Sequence, residues 1–506
     1  MNEPNARPVE GRAGQVQEDI KDLHQFGYAQ ELFREMGGFS NFAVSFSIIS
    51  ILTGAVTLYG YGLTMGGTGV MGIGWPLVTI FVLLISASMA ELASAIPTSG
   101  ALYHWAAVLG GPGWGWFTAW FNLIGQFTIT AGIDFGAAMF AAPLLGMAET
   151  WTNFLIIYAV ILLSHGLLNH YGIRIVARLN DLSAVYHMVG VALLVGALTF
   201  FVPKHDINLP FVLGHGTAQF PYWWAFALAL LQAQWTYTGY DASAHITEET
   251  VDPRRRAPWG IYLSVAVSAV FGYIMLLAVT SSIQDLPGVS AATNPFIAAV
   301  EGALGTGWGR AMLWIVTIAM WFCGLSSVTA NSRMIYAFAR DGGLPKAKTW
   351  ASISKRFRTP AAATWLSVVV AFLFAVYSGA YSVIVSISTL GLYVSYVLPI
   401  LLKLIKQARG EWRREHFGPW NLGILSVPVN ILALLWGAVV LVLFVAPPNQ
   451  QAGYTFAGVT VALAIYYMVS VRHWFKGPQG IGSEDELSRI EQEIEKESIY
   501  KESTVA

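Results

Sequence analysis

Long apolar runs alternate with short polar connections from residue 39 to residue 472. Twelve runs are long enough to cross about 30 Å of hydrocarbon. They lie near 41–65, 75–96, 115–142, 153–169, 183–202, 221–247, 259–281, 308–336, 361–378, 382–402, 424–446 and 453–472. None alternates apolar and polar positions in the ten-residue segments of a membrane β-strand. A backbone with no water around it must satisfy its own polar groups, so each run predicts a helix. The expected fold is an all-α polytopic membrane protein with twelve transmembrane helices. Two polar tails, 1–38 and 475–506, flank it, with connections at 203–220 and 405–423 and helices 11 and 12 within 424–474. The segment 28–36 reads as a short interfacial helix leading into span 1. In the acidic C-terminal tail, Ser483 and Glu486 have capping-box spacing, and Leu487, Ile490 and Ile494 mark one apolar stripe. The tail reads as a solvated helix, with docking onto the body as the alternative. The start shows no charged n-region, apolar h-region and cleavage site, so no removable signal peptide is expected.

Composition agrees with this pattern. Of 506 residues, 55% are apolar and 11% charged, against about 25% charged in soluble domains. That excludes disorder as well as an ordinary soluble fold. The 28 basic and 29 acidic side chains nearly cancel, so no field points to nucleic acid as a partner; the expected partner is the lipid bilayer. The single cysteine, Cys323, rules out an internal disulfide framework and a cysteine-based metal cluster. Lys and Arg set the orientation. With the N-terminus inside, inside loops hold Arg174, Arg178, Arg254 to Arg256, Arg340, Lys346, Lys348, Lys355, Arg356, Arg358, Lys403, Lys406, Arg409, Arg413 and Arg414. Outside loops hold Lys204, with Arg310 at a span edge. Both termini are therefore expected in the cytoplasm.

Two spans carry polar interruptions. Span 1 contains Ser47, Ser50, Thr53, Gly54 and Thr57; span 6 contains Gln232, Gln234, Thr236, Tyr237, Thr238, Gly239, Tyr240 and Asp241. Each gathers hydroxyls around one glycine midway across the membrane. Spans 1–5 occupy 39–202 and spans 6–10 occupy 221–404. Five spans per block force the second block to be inverted relative to the first. Matched broken helices in inverted repeats expose backbone donors and acceptors at the midplane, where solutes and ions bind. Small and hydroxylic residues also serve as ordinary helix-packing groups, and that reading stands beside the first.

Only Glu91, Asp134 and Asp241 place a carboxylate within or at the edge of a span, apart from those at the end of span 6. An intramembrane carboxylate is a functional candidate by default. Asn122, Gln126, Thr130 and Asp134 recur every four residues along span 3. Asp134 could bind an amine, carry a proton, or be a hydrogen-bonded structural group. Asp241 reads as the cap of a second half-helix, and Glu91 as a gate or helix cap. Ser326 and Ser327 of span 8 could complete a sodium site with span 1 carbonyls, or simply pack. His165, His187 and His245 stand on separate spans without metal-ligand spacing, so no metal is expected. Gly67-Thr-Gly69-Val-Met-Gly72 matches a dinucleotide fingerprint, but it follows a membrane helix rather than a strand. No phosphate loop, Gly-x-Ser-x-Gly or His-Glu-x-x-His occurs. An ATP-driven pump, a hydrolase, a catalytic residue set and a bound cofactor are all unexpected.

Three motifs carry a resemblance. Gly239-Tyr-Asp-Ala-Ser-Ala-His-Ile-Thr-Glu-Glu-Thr250 resembles the span 6 signature of the amino acid–polyamine–organocation superfamily. Within it, the chain is similar to the amino acid/choline transporters, which include 4-aminobutyrate and choline permeases. Ala90-Glu-Leu-Ala-Ser-Ala-Ile-Pro-Thr-Ser-Gly-Ala-Leu-Tyr-His-Trp105 and Asn331-Ser-Arg-Met-Ile-Tyr-Ala-Phe-Ala-Arg-Asp-Gly-Gly-Leu-Pro345 resemble the family's span 2 and span 8 exits. The resemblance covers about 20–475. It implies the inverted five-helix repeat of the leucine-transporter type. It also implies a central site among spans 1, 3, 6, 8 and 10, and secondary transport driven by an ion gradient. Family members have a glycine-rich break in span 1, whereas here Gly54 stands alone.

The expected activity is import of an amino acid or small amine, 4-aminobutyrate-like first, by proton-coupled symport, with sodium as the other coupling ion. The expected membrane is an inner or plasma membrane. Choline or polyamine transport, amino acid exchange and solute sensing on the same fold are the alternatives. Expected substrate contacts are Ser50, Ile51, Thr53, Gly54, Gln126, Thr130, Trp235, Tyr237, Thr238, Gly239 and Tyr240. Ion-coupling candidates are Asp134, Asp241, Ser326 and Ser327, and gate candidates are Glu91 and Tyr240.

Overall fold

The structure is a computed structural model that describes residues 11–498 except 215, 379, 380, 479, 481 and 482. The outer parts of both expected tails, 1–10 and 499–506, lie outside the described residues. The chain folds as helices, joined by irregular segments with two isolated β-bridges. In order these are α1 (Gly11–Gln25), α2 (Gly38–Ile49), α3 (Gly54–Thr57), α4 (Tyr59–Gly66), α5 (Trp75–Ala95), α6 (Leu102–Gly110), α7 (Pro112–Leu144), α8 (Trp151–Tyr171), α9 (Ile173–Phe201), α10 (Tyr222–Ala229) and α11 (Leu231–Thr236). Then come α12 (Ala242–His245), α13 (Pro253–Ser281), α14 (Leu286–Ala291), α15 (Pro295–Arg340), α16 (Ala347–Trp350), α17 (Ala361–Ser378), α18 (Tyr381–Ala408), α19 (Ser426–Val445), α20 (Gln450–Val469) and α21 (Glu484–Glu497).

Ten helical segments among the described residues are long and apolar enough to cross a membrane, and α17 is a shorter apolar helix. The run 221–247 forms three short helices: α10 and α11 are divided at Leu230, and α11 and α12 are parted where the polar centre leaves the helical path at 237–241. The burial pattern fits a bilayer. α2, α7 and α18 lie mostly inside the bundle, whereas α8 and α20 are mostly exposed and present Val160, Leu163, Val461 and Ile465 outward. Exposed apolar side chains in such number need lipid, not water, around them.

The tail-bearing end is sealed by buried charge. The segment 28–36, expected to be helical, is irregular and packed inside. Its backbone is drawn off the helical path by bonds to the end of span 6. The Glu35 and Met36 amides donate to the Glu249 carbonyl at 3.1 and 2.8 Å. Gln30 donates to the Glu248 carbonyl at 2.7 Å, and the Arg34 guanidinium donates to the Thr250 carbonyl. Arg333 pairs with Glu249 at 2.8 Å and Arg340 with Glu248 at 2.9 Å, all four side chains almost wholly buried. Tyr28 Oη donates to Asp341 at 2.8 Å while its ring lies under the Arg340 guanidinium. Burial and Arg340 push His104 down to about 3, so its 3.9 Å approach to Asp341 is not an ion pair. Burial pushes Asp341 up to about 6.

The C-terminal helix α21 is docked, against the expectation of a solvated tail. It buries Leu487 and Ile494. Glu491 lies 2.8 Å from His24 of α1 and accepts the Gln30 amide at 2.7 Å. Glu495 lies 3.7 Å from Arg358. Ser483 occupies the N-cap position, but its side chain makes no cap bond, so the capping-box expectation holds in position only.

Two outcomes are expected of this end. Glu249→Gln leaves Arg333 buried without its counter-charge, which costs about 3–5 kcal/mol and lowers the melting temperature in detergent. Asp341 has its protonated form favoured by folding, so its stabilising contribution is full below its ordinary value of 3.8 and lost as pH rises through about 6. Asp341→Asn keeps an acceptor for Tyr28. Its melting temperature is expected to gain on the wild type between pH 4 and pH 7, and a constant difference would count against this account.

Candidate functional site

Span 1 leaves the helix at Ser50, where φ is 32° and ψ is 83°, and resumes at Gly54. A non-glycine residue in the left-handed region is strained and persists only where its surroundings hold it. Here Ser50 Oγ bonds Thr53 Oγ1 at 2.6 Å and His187 Nε2 of α9 at 2.7 Å. The Ile51 and Leu52 amides make no hydrogen bond to another described residue. Span 6 breaks after Thr236, with Gly239 at φ 88°. The Thr238, Tyr240 and Asp241 amides are likewise unbonded among the described residues, whereas the Gly239 amide donates to Tyr396 Oη at 3.1 Å.

The two breaks touch. A Cβ on Gly54 would lie 2.7 Å from Thr236 Cα, and one on Gly239 would lie 2.2 Å from Ile48 Cγ2. Gln232 of span 6 also donates to the Ala55 carbonyl of span 1 at 3.0 Å. Between the breaks lies a small cavity of ≈ 10 Å³ lined by the buried residues Ile48, Ile49, Thr53, Gly54, Ile129, Ile133, Trp235, Thr236 and Thr238, room for about one water. A wider vestibule of ≈ 290 Å³ opens at the end away from the tails, lined by Thr57, Tyr61, Gly136, Asn294 and Tyr381 among others. Trp235 belongs to the cavity and Tyr381 to the vestibule; their rings meet edge-on at 6.3 Å, while Trp235 Nε1 donates to Ser388 at 3.0 Å.

Of the expected substrate contacts, Thr53, Gly54, Trp235 and Thr238 line the cavity. Ser50 turns to His187, and Ile51 packs in the core. Gln126 donates to Asp241 at 3.1 Å, and Thr130 bonds Ser327 at 2.7 Å. Tyr237 Oη bonds Thr79 at 2.7 Å, and Tyr240 packs on the Tyr396 ring at 4.9 Å. Residues that the sequence reading passed over are Ile48, Ile49, Ile129 and Ile133. Nothing in an apolar run distinguishes a cavity wall from a lipid-facing or core position.

The acidic candidates each have a partner. Asp241 stands at the start of α12 but makes no cap bond, which corrects its reading as a cap. Its carboxylate instead gathers Tyr396 Oη at 2.7 Å, Asn122 at 3.0 Å, Gln126 at 3.1 Å and His245 Nε2 at 3.2 Å. Asp241 thereby ties spans 3, 6 and 10 together below the breaks. Asp134 lies 3.1 Å from His165 of α8. Glu91 is fully buried, pairs with Lys403 of α18 at 2.8 Å, and accepts from the Leu422 amide at 2.9 Å and Ser426 at 2.5 Å. Ser326 donates to Asn180 at 2.9 Å. The span 8 group that reaches a span 1 carbonyl is Cys323, donating to Ile48 at 3.2 Å, not Ser326 or Ser327. No group of three or more His, Cys, Asp or Glu that could hold a metal occurs among the described residues.

Helices that span a membrane and break against each other around a small buried cavity define a carrier-like membrane protein. The chain matches the amino acid permease family over residues 37–470 and belongs to it, in line with the superfamily resemblance of its motifs. It is 38% identical over 497 residues to amino-acid permease BAT1 of Arabidopsis thaliana, covering 90% of this chain and 95% of that protein. Identity to the BAT1 homolog of Oryza sativa subsp. japonica is 38% over 500 residues, covering 90% and 94%. Uncharacterized amino-acid permease C74.04 of Schizosaccharomyces pombe is 28% identical over 515 residues, covering 96% and 91%. These relatives are named as transporters, not enzymes, and amino acid transport is this chain's class of function.

Gly239→Val tests the contact between the breaks. The branched side chain is strained at positive φ and would overlap Ile48. Loss of substrate-induced thermal stabilisation is expected; unaltered substrate affinity would show that the span 6 break does not shape the site.

Proposed function

We propose that the protein is a secondary active transporter that imports an amino acid, with 4-aminobutyrate-like solutes favoured, by proton-coupled symport and alternating access. Twelve spans are assigned by counting the interrupted span 6 and the shorter α17 with the ten long segments. Residues 39–202 and 221–404 are read as inverted repeats in an inner or plasma membrane, both tails cytoplasmic. The observation that carries the reading is the contact of the two helix breaks at Gly54 and Gly239 beside a small buried cavity. The Ile51 and Leu52 amides, without a partner among the described residues and just ahead of α3, suit a substrate carboxylate, because a helix N-terminus is positive. Backbone oxygens near Thr238, with the Trp235 face, suit its amine. The vestibule is the outward route, Trp235 and Tyr381 are the outer gate, and the Asp241 and Glu248–Arg340 contacts are the inner seal. The protein then rests closed toward the tails.

The docked helix α21 favours one second reading, in which the tails report solute occupancy to a partner. Two experiments separate these. Purified protein in proteoliposomes is expected to accumulate an amino acid under an inward proton gradient, against a panel that includes 4-aminobutyrate, choline and polyamines. A chain lacking residues 476–506 is expected to retain uptake. Binding of solute without any transport, in the full chain and the truncated one, would overturn the transporter reading.

A further inference from the structure

We propose that Asp134 and His165 form the proton-binding dyad of this carrier, beside the substrate cavity but outside it; the inference rests on the proton-coupled reading above. Asp134 Oδ2 of α7 lies 3.1 Å from His165 Nδ1 of α8, and both side chains are fully buried. Three atoms at this point have no hydrogen-bond partner among the described residues: Asp134 Oδ1, His165 Nε2 and Tyr158 Oη. A native structure leaves few buried polar atoms unsatisfied, and each calls for a reason. The backbone of α15 closes over the pair. A Cβ on Gly324 would lie 1.7 Å from Asp134 Oδ1 and 2.7 Å from His165 Cε1.

The surroundings supply no compensating charge. Tyr158 on α8 and Cys323 on α15 are other titratable groups close enough to feel the Asp134 charge. α17, packed against α7 and α8, has no acidic or basic residue, and α18 presents Tyr381 at this level. The cations of α18, Lys403 and Lys406, lie at its other end, where Lys403 pairs with Glu91. Asp241 lies at the level of Gln126, eight residues along α7, or about 12 Å at a helical rise of about 1.5 Å.

Charge balance then links proton occupancy to opening. With one proton the dyad is neutral overall, as Asp134 carboxylate with His165 imidazolium or as the acid with the neutral ring. Without it the dyad carries one net negative charge in a dry, apolar setting, which is strongly disfavoured. The proton adds at His165 Nε2 or Asp134 Oδ1, the two atoms left unpartnered, while the Nδ1–Oδ2 bond persists. It leaves to water when α8 and α15 part from α7. The cavity feels this directly. Ile133, next to Asp134, lines it, and Cys323, next to Gly324, is bonded to the carbonyl of its wall residue Ile48.

The test compares wild type, Asp134→Asn and His165→Gln in proteoliposomes, each first checked by gel filtration and melting temperature. Uptake under a proton gradient, solute counterflow without one, and solute-driven proton entry read by an internal pH dye are measured. Expected is loss of accumulation and of proton entry in both variants, with counterflow persisting and its pH dependence flattened. Where Asp134→Asn does not fold, His165→Gln carries the same readings. Variants that accumulate solute and move protons as the wild type does overturn the dyad alone. A wild type that exchanges solute but moves no protons overturns the proton-coupled reading, and the dyad with it.

Discussion

A backbone inside hydrocarbon has no water to turn to, so every N–H and C=O must be answered from within the protein. The rest of this structure follows from the two places where that condition is broken, at 50–53 and 237–241. The breaks survive because they are pressed against each other and roofed by spans 3, 8 and 10. Ser50 is held by His187, Ile48 by Cys323, Gly239 by Tyr396, and Ala55 by Gln232. What is left unanswered is chiefly the amides of 51, 52, 238, 240 and 241, in the two breaks that flank a small cavity. A transporter needs such groups at mid-membrane, and it can keep them only in a bundle that excludes lipid there.

Buried charge follows the same rule. These acidic groups inside the bundle are each met by a partner on a different helix: Glu91 by Lys403, Asp134 by His165, Asp241 by Tyr396, Glu248 by Arg340, Glu249 by Arg333. Such pairs add little net stability, since desolvation offsets attraction. Their use is geometric. Glu248 and Glu249 fix the end of span 6 to span 8, and the irregular segment 28–36 is threaded through the same knot. Movement of span 6 therefore has to disturb the N-terminal segment, on which α21 rests through Glu491. The tails are mechanically joined to the end of the broken span 6.

How much was legible in the chain depends on what each feature rests on. The long apolar helices were legible, because hydrophobic length is a local property and the bilayer leaves one kind of answer to it. The breaks at Gly54 and Gly239 were legible too, as hydroxyls crowded around a glycine in otherwise apolar runs. The helix expected at 28–36 was wrong. Its local pattern was suitable, but its donors are taken by carbonyls some 200 residues away. Asp241 was placed correctly at a helix start and given the wrong task, since its four partners come from three spans. The isoleucines that wall the cavity carried no signal at all.

By itself the sequence determined the membrane setting, the helices, the interrupted spans and, through three motifs, the permease family. Each of these depends on residues close together in the chain or on composition. Only the tertiary structure decided which polar residues face one another. Four-residue spacing set Asn122, Gln126, Thr130 and Asp134 along one helix, yet they serve Asp241, Ser327 and His165 in turn. A helix winds its side chains past several neighbours, and the identity of each neighbour is a property of the packed bundle rather than of the strip.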